Sequence, residues 1–184
     1  MNIPVSLPKA TSHTLLKNPY YISAGWLIDG SGGPILKDVL IEISSGCIIS
    51  ISRGGHGDPD GNSIVDLSNC TLIPGLIDSH VHLSMSGNDD QEIRRQQLNA
   101  SFYDVQGVIA NHIKDHLAHG VAALRDGGDH AGHTLRYRNE LLFHRESPVT
   151  LRAAGRAWHA QGRYGSIIGR HAFHGQSLAQ GILN

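Results

Sequence analysis

Two histidines, His80 and His82, stand two residues apart at the end of the apolar stretch IPGLIDSHVHL, residues 73–83. Alternate residues of a strand share one face, so an extended backbone would put both imidazoles on one side together with Asp78. Histidine nitrogens are ligands for zinc and similar ions, and a nearby carboxylate can orient a ligand ring. The spacing therefore predicts a divalent metal site with His80 and His82 as ligands and Asp78 beside or beneath them.

The spacing by itself is weak evidence, because 13 histidines in 184 residues give about one H-x-H by chance. The context of the pair is more informative. It follows a β-rich segment and precedes a series in which strands alternate with helices. Parallel α/β folds place their sites at the carboxyl ends of strands, which is where His80 and His82 would lie.

The segment before the histidines has the pattern of short β-strands. Residues 1–19, with three prolines, are interpreted as an irregular leader. YYISAGWLIDGSGG indicates a strand that runs into a glycine turn, DVLIEI and CIISIS indicate a hairpin closed at Gly46, and IVDL and TLI indicate two further strands. Residues 20–70 are therefore expected to form one β domain.

From Leu72 onward the pattern is β-α-β-α-β, which favours a parallel sheet with right-handed crossovers over residues 71–184. A helix is predicted in EIRRQQLNASFYDVQGVIANHIKDHLAH, ending at Gly120, and another in TLRYRNELLFHR. VAALRD and VTLRAAG are the second and third strands. Asp126 ends VAALRD and would point to the same edge as His80 and His82, with a turn or helix-capping role as the alternative.

Three pieces, GWLIDGSGG, PGLIDSHVHL and HGVAALRDGGD, have the order and about the spacing seen in the amidohydrolase superfamily of metal-dependent (β/α)8-barrel hydrolases. Over roughly residues 20–160 the chain resembles the imidazolonepropionase- and prolidase-like branch of that superfamily. The resemblance implies that His80 and His82 are the metal ligands of the first barrel strand. It also implies that the preceding β segment is part of a small β-sandwich and that a divalent ion, zinc or similar, assists hydrolysis of an amide-type bond.

The expected fold class is therefore α/β: a partial (β/α)8 TIM barrel of about three β/α units, preceded by part of a β-sandwich. A closed barrel takes about 250 residues, more than the chain offers after Leu72. The superfamily completes its site with a lysine, two further histidines and an aspartate on later strands, and none of these can be assigned here. We therefore expect weakly held zinc, no catalysis by this chain alone, and self-association through open strand edges.

The alternative is a self-standing α/β binding module that pairs with another chain. Such a module should end with a capped element, whereas HGQSLAQGILN has the pattern of a helix interrupted soon after it begins. That pattern favours the N-terminal portion of a longer hydrolase.

The segment GRAWHAQGRYGSIIGR, residues 155–170, carries Gly-Arg three times. It is expected to leave the third strand as a loop over the site, with Arg156 and Arg163 binding a carboxylate and His159 beside them. The predicted partner is a small amide or cyclic amide that bears a carboxylate. The alternative is a solvated surface loop.

The other histidines are weaker candidates. Those at positions 112, 116 and 119 share one helical face with a spacing compatible with metal, but surface histidines are the simpler interpretation. The pairs His130 with His133 and His171 with His174 lie in glycine-rich segments and are noted without a role.

Charge and cysteine content limit the partners and the compartment. The formal net charge is −1, so no large basic field would attract nucleic acid or an anionic membrane. Cys47 and Cys70 are the only cysteines and form no disulfide framework. The first residues lack the features of a signal peptide, and no apolar run reaches the roughly 20 residues that span a bilayer. A cytoplasmic protein is predicted.

Overall fold

Each half of the chain folds around its own sheet. The computed structural model describes residues 19–54, 63–142, 149–160 and 171–173, which divide into two compact units on either side of the Pro74–Gly75 bond. The predicted leader, Arg163, His174 and the segment HGQSLAQGILN lie outside the described residues. The described helices include none that is both long enough and apolar enough to cross a bilayer.

The first unit contains a four-stranded sheet with the strand order β3-β2-β1-β4. Its strands are β1 (Tyr20–Leu27), β2 (Leu36–Ser44), β3 (Cys47–Arg53) and β4 (Ser63–Leu72). The predicted β2–β3 hairpin is confirmed, and both turn residues, Ser45 and Gly46, have positive φ. β4 runs parallel to β1. The apolar core of this unit consists of Ala24, Leu27, Val39, Ile41 and Ile43.

The prediction of two short strands in IVDL and TLI is wrong, because β4 is one strand with an irregularity in its middle. The register against β1 shifts between Ala24 and Trp26. At that place a Cβ on Gly25 would lie 2.2 Å from the carbonyl oxygen of Ser68. Glycine therefore allows the two backbones to approach and the strand to continue.

The second unit contains a three-stranded sheet, β5-β6-β7, in which both neighbouring pairs are parallel. Its elements are β5 (Leu76–Val81), α1 (Gln91–Asn99), α2 (Phe102–Ala118), β6 (Val121–Asp126), α3 (His133–Tyr137) with a π-helical turn (Arg138–Leu142), β7 (Thr150–Ala153), β8 (Trp158–Ala160) and β9 (His171–Phe173). The predicted strand–helix alternation is confirmed. The fold is a mixed α/β fold, and α2 packs Val105, Ile109 and Ile113 against Leu124 and Leu151 of the sheet.

The long helix predicted before Gly120 is two helices, α1 and α2, separated at Ala100 and Ser101. Ser101 begins α2 with a capping box: its N–H and its hydroxyl both bond to the Asp104 carboxylate, at 2.9 and 2.6 Å. This local cap stops α1 from continuing into α2. The predicted end at Gly120 is confirmed, with a φ of 81°.

Candidate metal centre

His80 and His82 lie where β5 ends, at the carboxyl edge of the parallel sheet. Their ring centroids are 5.2 Å apart and their planes are almost perpendicular, at 83°. Both rings face Gly127, the first residue after β6: a Cβ there would lie 2.9 Å from Cε1 of His82 and 3.5 Å from Cε1 of His80. The missing side chain leaves a space that both imidazoles border.

A backbone carbonyl sets the tautomer of His82. Its Nδ1 lies 2.8 Å from the carbonyl oxygen of Gly128, which can only accept a hydrogen bond. Nδ1 therefore carries a hydrogen, so in the neutral ring the lone pair is on Nε2. This is the pattern of metal-ligating histidines, whose second ring nitrogen donates to a carbonyl or carboxylate.

The Asp126 side chain forms hydrogen bonds both to the loop that contains Gly128 and to the backbone next to His82. It is only 1% exposed, and its two carboxylate oxygens accept from the N–H of Gly128 and of Leu83, both at 2.8 Å. Burial raises the pKa of Asp126, and the two N–H bonds oppose this rise. The Asp126 carboxylate therefore connects the backbone of Leu83, the residue after His82, with the backbone of Gly128.

The expectation that Asp78 shares a face with both histidines is wrong. The register of β5 against β6 shifts between Asp78 and Val81, and this irregularity breaks the strict alternation of side chains. Asp78 pairs with Leu124, whose side chain is buried on the α2 side. One carboxylate oxygen of Asp78 accepts from the backbone N–H of His80 at 3.0 Å, and the other lies 3.9 Å from Nε2 of His116 on α2.

The candidate substrate residues are placed only in part. Arg156 is exposed, and its neighbours Gly155 and Ala157 pair with the backbone of Asp129 in the loop after β6. The segment around His159 is not the predicted loop, because Trp158–Ala160 forms β8, which pairs with β9. Three-residue strands are too short to be recognised from local pattern. Arg163 is outside the described residues.

Sequence reasoning missed the two glycines after β6. Gly127 gives room to the histidine rings, and Gly128, with a φ of 93°, presents its carbonyl to His82. The signal that could have found them is the motif RDGGD itself, in which two consecutive glycines follow a strand at the edge where a site is expected.

Comparison with known proteins finds similarity to two kinds of named enzyme, although no family model matches. The imidazolonepropionase of Photobacterium profundum is 33% identical over 86 residues, covering 41% of this chain and 20% of that protein. A dihydroorotase of Pelobacter propionicus is 35% identical over 71 residues, covering 39% of this chain and 16% of its own. Over these stretches the chain is similar to enzymes of the amidohydrolase superfamily.

Solved structures show the same fold. An amidohydrolase superposes with a TM-score of 0.67 at 19% identity, covering 90% of this chain and 43% of that one. A Xaa-Pro dipeptidase with methionine bound in its active site gives 0.62 at 23% identity, covering 80% and 36%. The chain spans about a fifth of the length of the curated relatives named above. The activity, substrate and partners of a whole protein are therefore matters for proposal.

Proposed function

We propose that this chain supplies the first two metal ligands, His80 and His82, of a hydrolase that cleaves carbon–nitrogen bonds in small amides or cyclic amides. The observation that supports this most is the meeting of the two imidazoles at Gly127, with Nε2 of His82 left free by the Gly128 carbonyl. In this proposal the sheet β5-β6-β7 is the first part of a (β/α)8 barrel, and β1–β4 belong to the accompanying β-sandwich.

Two imidazole nitrogens fit zinc, a divalent ion of intermediate softness that binds imidazole readily. When bound, such an ion polarises a carbonyl and lowers the pKa of a water molecule. The chain's own residues hold and orient the ligands: Gly128 fixes the tautomer of His82, and Asp126 fixes Gly128. Two imidazoles are fewer than the three or four protein ligands usual for zinc, so we propose weak binding and no turnover by this chain alone.

The proposed substrate class follows the names of the relatives, which refer to imidazolonepropionate, dihydroorotate and Xaa-Pro dipeptides. All are small molecules. We assign to this chain a small amide or cyclic amide that bears a carboxylate, with Arg156 as a residue that binds the carboxylate. In support, Arg156 is exposed and its backbone neighbours bond to the loop that follows Gly127 and Gly128. Arg163 and His159 remain predictions.

The metal-binding part is tested by zinc titration of the purified chain and of its His80→Ala and His82→Ala variants. Each substitution should abolish one equivalent of weakly bound zinc, because one imidazole alone holds zinc poorly. His119→Ala is the matched control, since His119 is an exposed histidine whose Nδ1 bonds only to a carbonyl of its own helix. Zinc binding that is the same in all four proteins would contradict the proposal.

The arginine is tested in an active protein that contains this chain. Arg156→Ala should raise KM for a carboxylate substrate by about tenfold or more relative to the neutral amide analogue, since a charged hydrogen bond contributes about 1.5–3 kcal/mol. Arg138→Ala is the control, because Arg138 bonds to its neighbour Asn139. Equal effects of Arg156→Ala on both analogues would remove Arg156 from the substrate site.

A further inference from the structure

A second group of potential metal ligands lies between the end of β6 and the first residue of α3. One ligand atom of each of Asp129, His130 and His133 lies within 4.8 Å of the others. Asp129 is 2% exposed and His133 is 7% exposed, so the group is largely shielded from water. We propose that these three residues form a metal site of their own, for zinc or a similar divalent ion, built without His80 and His82.

The Asp129 carboxylate is held by four backbone N–H groups. One oxygen accepts from Ala131, Gly132 and His133, at 2.6–2.9 Å. The second oxygen accepts from Thr134, at 3.1 Å, and a carboxylate oxygen can bind a further partner through its second lone pair. Ligating carboxylates are themselves oriented by hydrogen bonds, as this one is.

The two histidines repeat the geometry of the first pair. The ring centroids of His130 and His133 are 5.2 Å apart at an interplanar angle of 83°, the same values as for His80 and His82. Nε2 of His133 lies 3.2 Å from the carbonyl oxygen of Ala100, which orients its ring from outside the group. One ring nitrogen of each imidazole thus lies within 4.8 Å of the other and of a carboxylate oxygen of Asp129.

A buried hydroxyl in the same turn lacks a partner. Thr134 is fully buried, and its Oγ1 is the one buried side-chain polar atom among the described residues without a hydrogen bond. An unpaired buried polar group is uncommon in folded proteins. Thr134 bonds to Asp129 through its own N–H, so this residue lies in the same turn as the candidate ligands.

The ligand chemistry identifies the class of ion. Two imidazoles and a carboxylate are a frequent zinc ligand set with a fourth position open to water, and bonds of about 2.0–2.2 Å place tetrahedral ligand atoms about 3.4 Å apart. The ligand atoms, now within 4.8 Å of one another, would have to approach to that spacing when the ion binds. Calcium and magnesium are disfavoured because they take oxygen ligands.

The alternative role for Asp129 is that of an N-terminal cap for α3, with the histidines merely packed together. Zinc binding distinguishes the two roles when the first pair is removed. The chain with His80→Ala and His82→Ala should still bind one equivalent of zinc, and cobalt in its place should show the visible absorption of a low-coordinate site.

Adding His130→Ala or His133→Ala to that chain should weaken zinc binding by at least about tenfold, since even outer-shell changes cost metal sites about 10- to 100-fold. Adding His119→Ala instead should change nothing. His130 is partly exposed, so its variant keeps the fold if the buried His133 does not tolerate alanine. No zinc uptake by the chain that lacks His80 and His82, or affinity unchanged by both added substitutions, would overturn the proposal. Either result is independent of whether His80 and His82 bind a metal.

Discussion

At the scale of single residues, the absence of a side chain at position 127 matters as much as the presence of the two histidines. Gly127→Ala would place a methyl group 2.9 Å from Cε1 of His82 and force that ring to move. Zinc affinity at His80 and His82 should fall by about tenfold or more, because a ring displaced from its orienting bond is a poorer ligand. Calorimetric titration measures the change.

Gly107→Ala is the matched control for this substitution. A Cβ at Gly107 on α2 meets no atom within 4 Å, and alanine favours a helix. Its zinc affinity should equal that of the original chain. If Gly127→Ala binds zinc as tightly as Gly107→Ala, the two rings do not meet at Gly127 in the metal-bound protein.

Asp126 affects the same centre through the backbone. In Asp126→Asn, the side-chain NH2 would replace one of the two accepting oxygens. It would then face the N–H of Leu83 or that of Gly128, and two donors cannot form a hydrogen bond with each other. The Gly128 carbonyl would then move away from His82, and zinc affinity should fall by about 10- to 100-fold. Asp115→Asn, at an exposed position of α2, should leave it unchanged. An equal affinity in both variants would show that Asp126 has no part in placing the ligand.

At the scale of elements, the start of α2 depends on a titrating cap. The hydroxyl and N–H of Ser101 hold the pKa of Asp104 below its ordinary value of 3.8. A carboxyl whose pKa is lowered on folding stabilises the fold above its unfolded-state pKa, and this contribution disappears as the pH falls through the folded-state pKa. The loss in free energy of unfolding caused by Asp104→Asn should therefore be constant near neutral pH and shrink below about pH 4.

Denaturant unfolding at several pH values measures this loss. A double-mutant cycle of Ser101→Ala and Asp104→Asn isolates the interaction between these two residues. The coupling energy of the cycle should vanish in acid together with the effect of Asp104→Asn. A coupling that stays constant down to low pH would show that the charge of Asp104 plays no part in the cap.

The packing of α2 gives a second prediction for the elements. Ile109 is fully buried between α2 and the sheet, so Ile109→Ala should lower the free energy of unfolding by about 2–5 kcal/mol. Leu117, on the same helix, is 38% exposed, and Leu117→Ala should cost much less. Similar losses in the two variants would mean that α2 is not anchored through the Ile109 face.

At the scale of the whole molecule, the described part of the second unit leaves β5 at one edge of its sheet with two apolar residues in water. Leu76 is 48% exposed and Ile77 is 73% exposed. An exposed apolar edge strand favours pairing with another chain, so we predict oligomers at micromolar concentration. Sedimentation should show smaller species for Ile77→Lys and no change for Leu117→Lys. A monomer in the unmodified chain would contradict this and favour the self-standing module.

Most elements could be predicted from local pattern. Apolar spacing predicted the β2–β3 hairpin, the strand–helix alternation and the helix end at Gly120. The errors have local causes. The capping box at Ser101 divides a continuous helical pattern into two helices. β4 is one strand with an irregularity where two strands were predicted, and an irregularity in β5 turns Asp78 toward α2. Apolar periodicity contains no information on a helix cap or on a register shift within a strand.

The sequence by itself determined the residue types at the candidate centre, His80 and His82 at a strand end, and the resemblance to the amidohydrolase superfamily. Only the tertiary structure decided that Gly127 is the place where the rings meet, that Gly128 selects the tautomer of His82, and that Asp129, His130 and His133 converge. The bond between His82 and Gly128 joins residues 46 apart, and the one between Leu83 and Asp126 joins residues 43 apart. Such contacts form because parallel strands bring their carboxyl ends to one edge, and no local pattern along the chain encodes which atoms then meet.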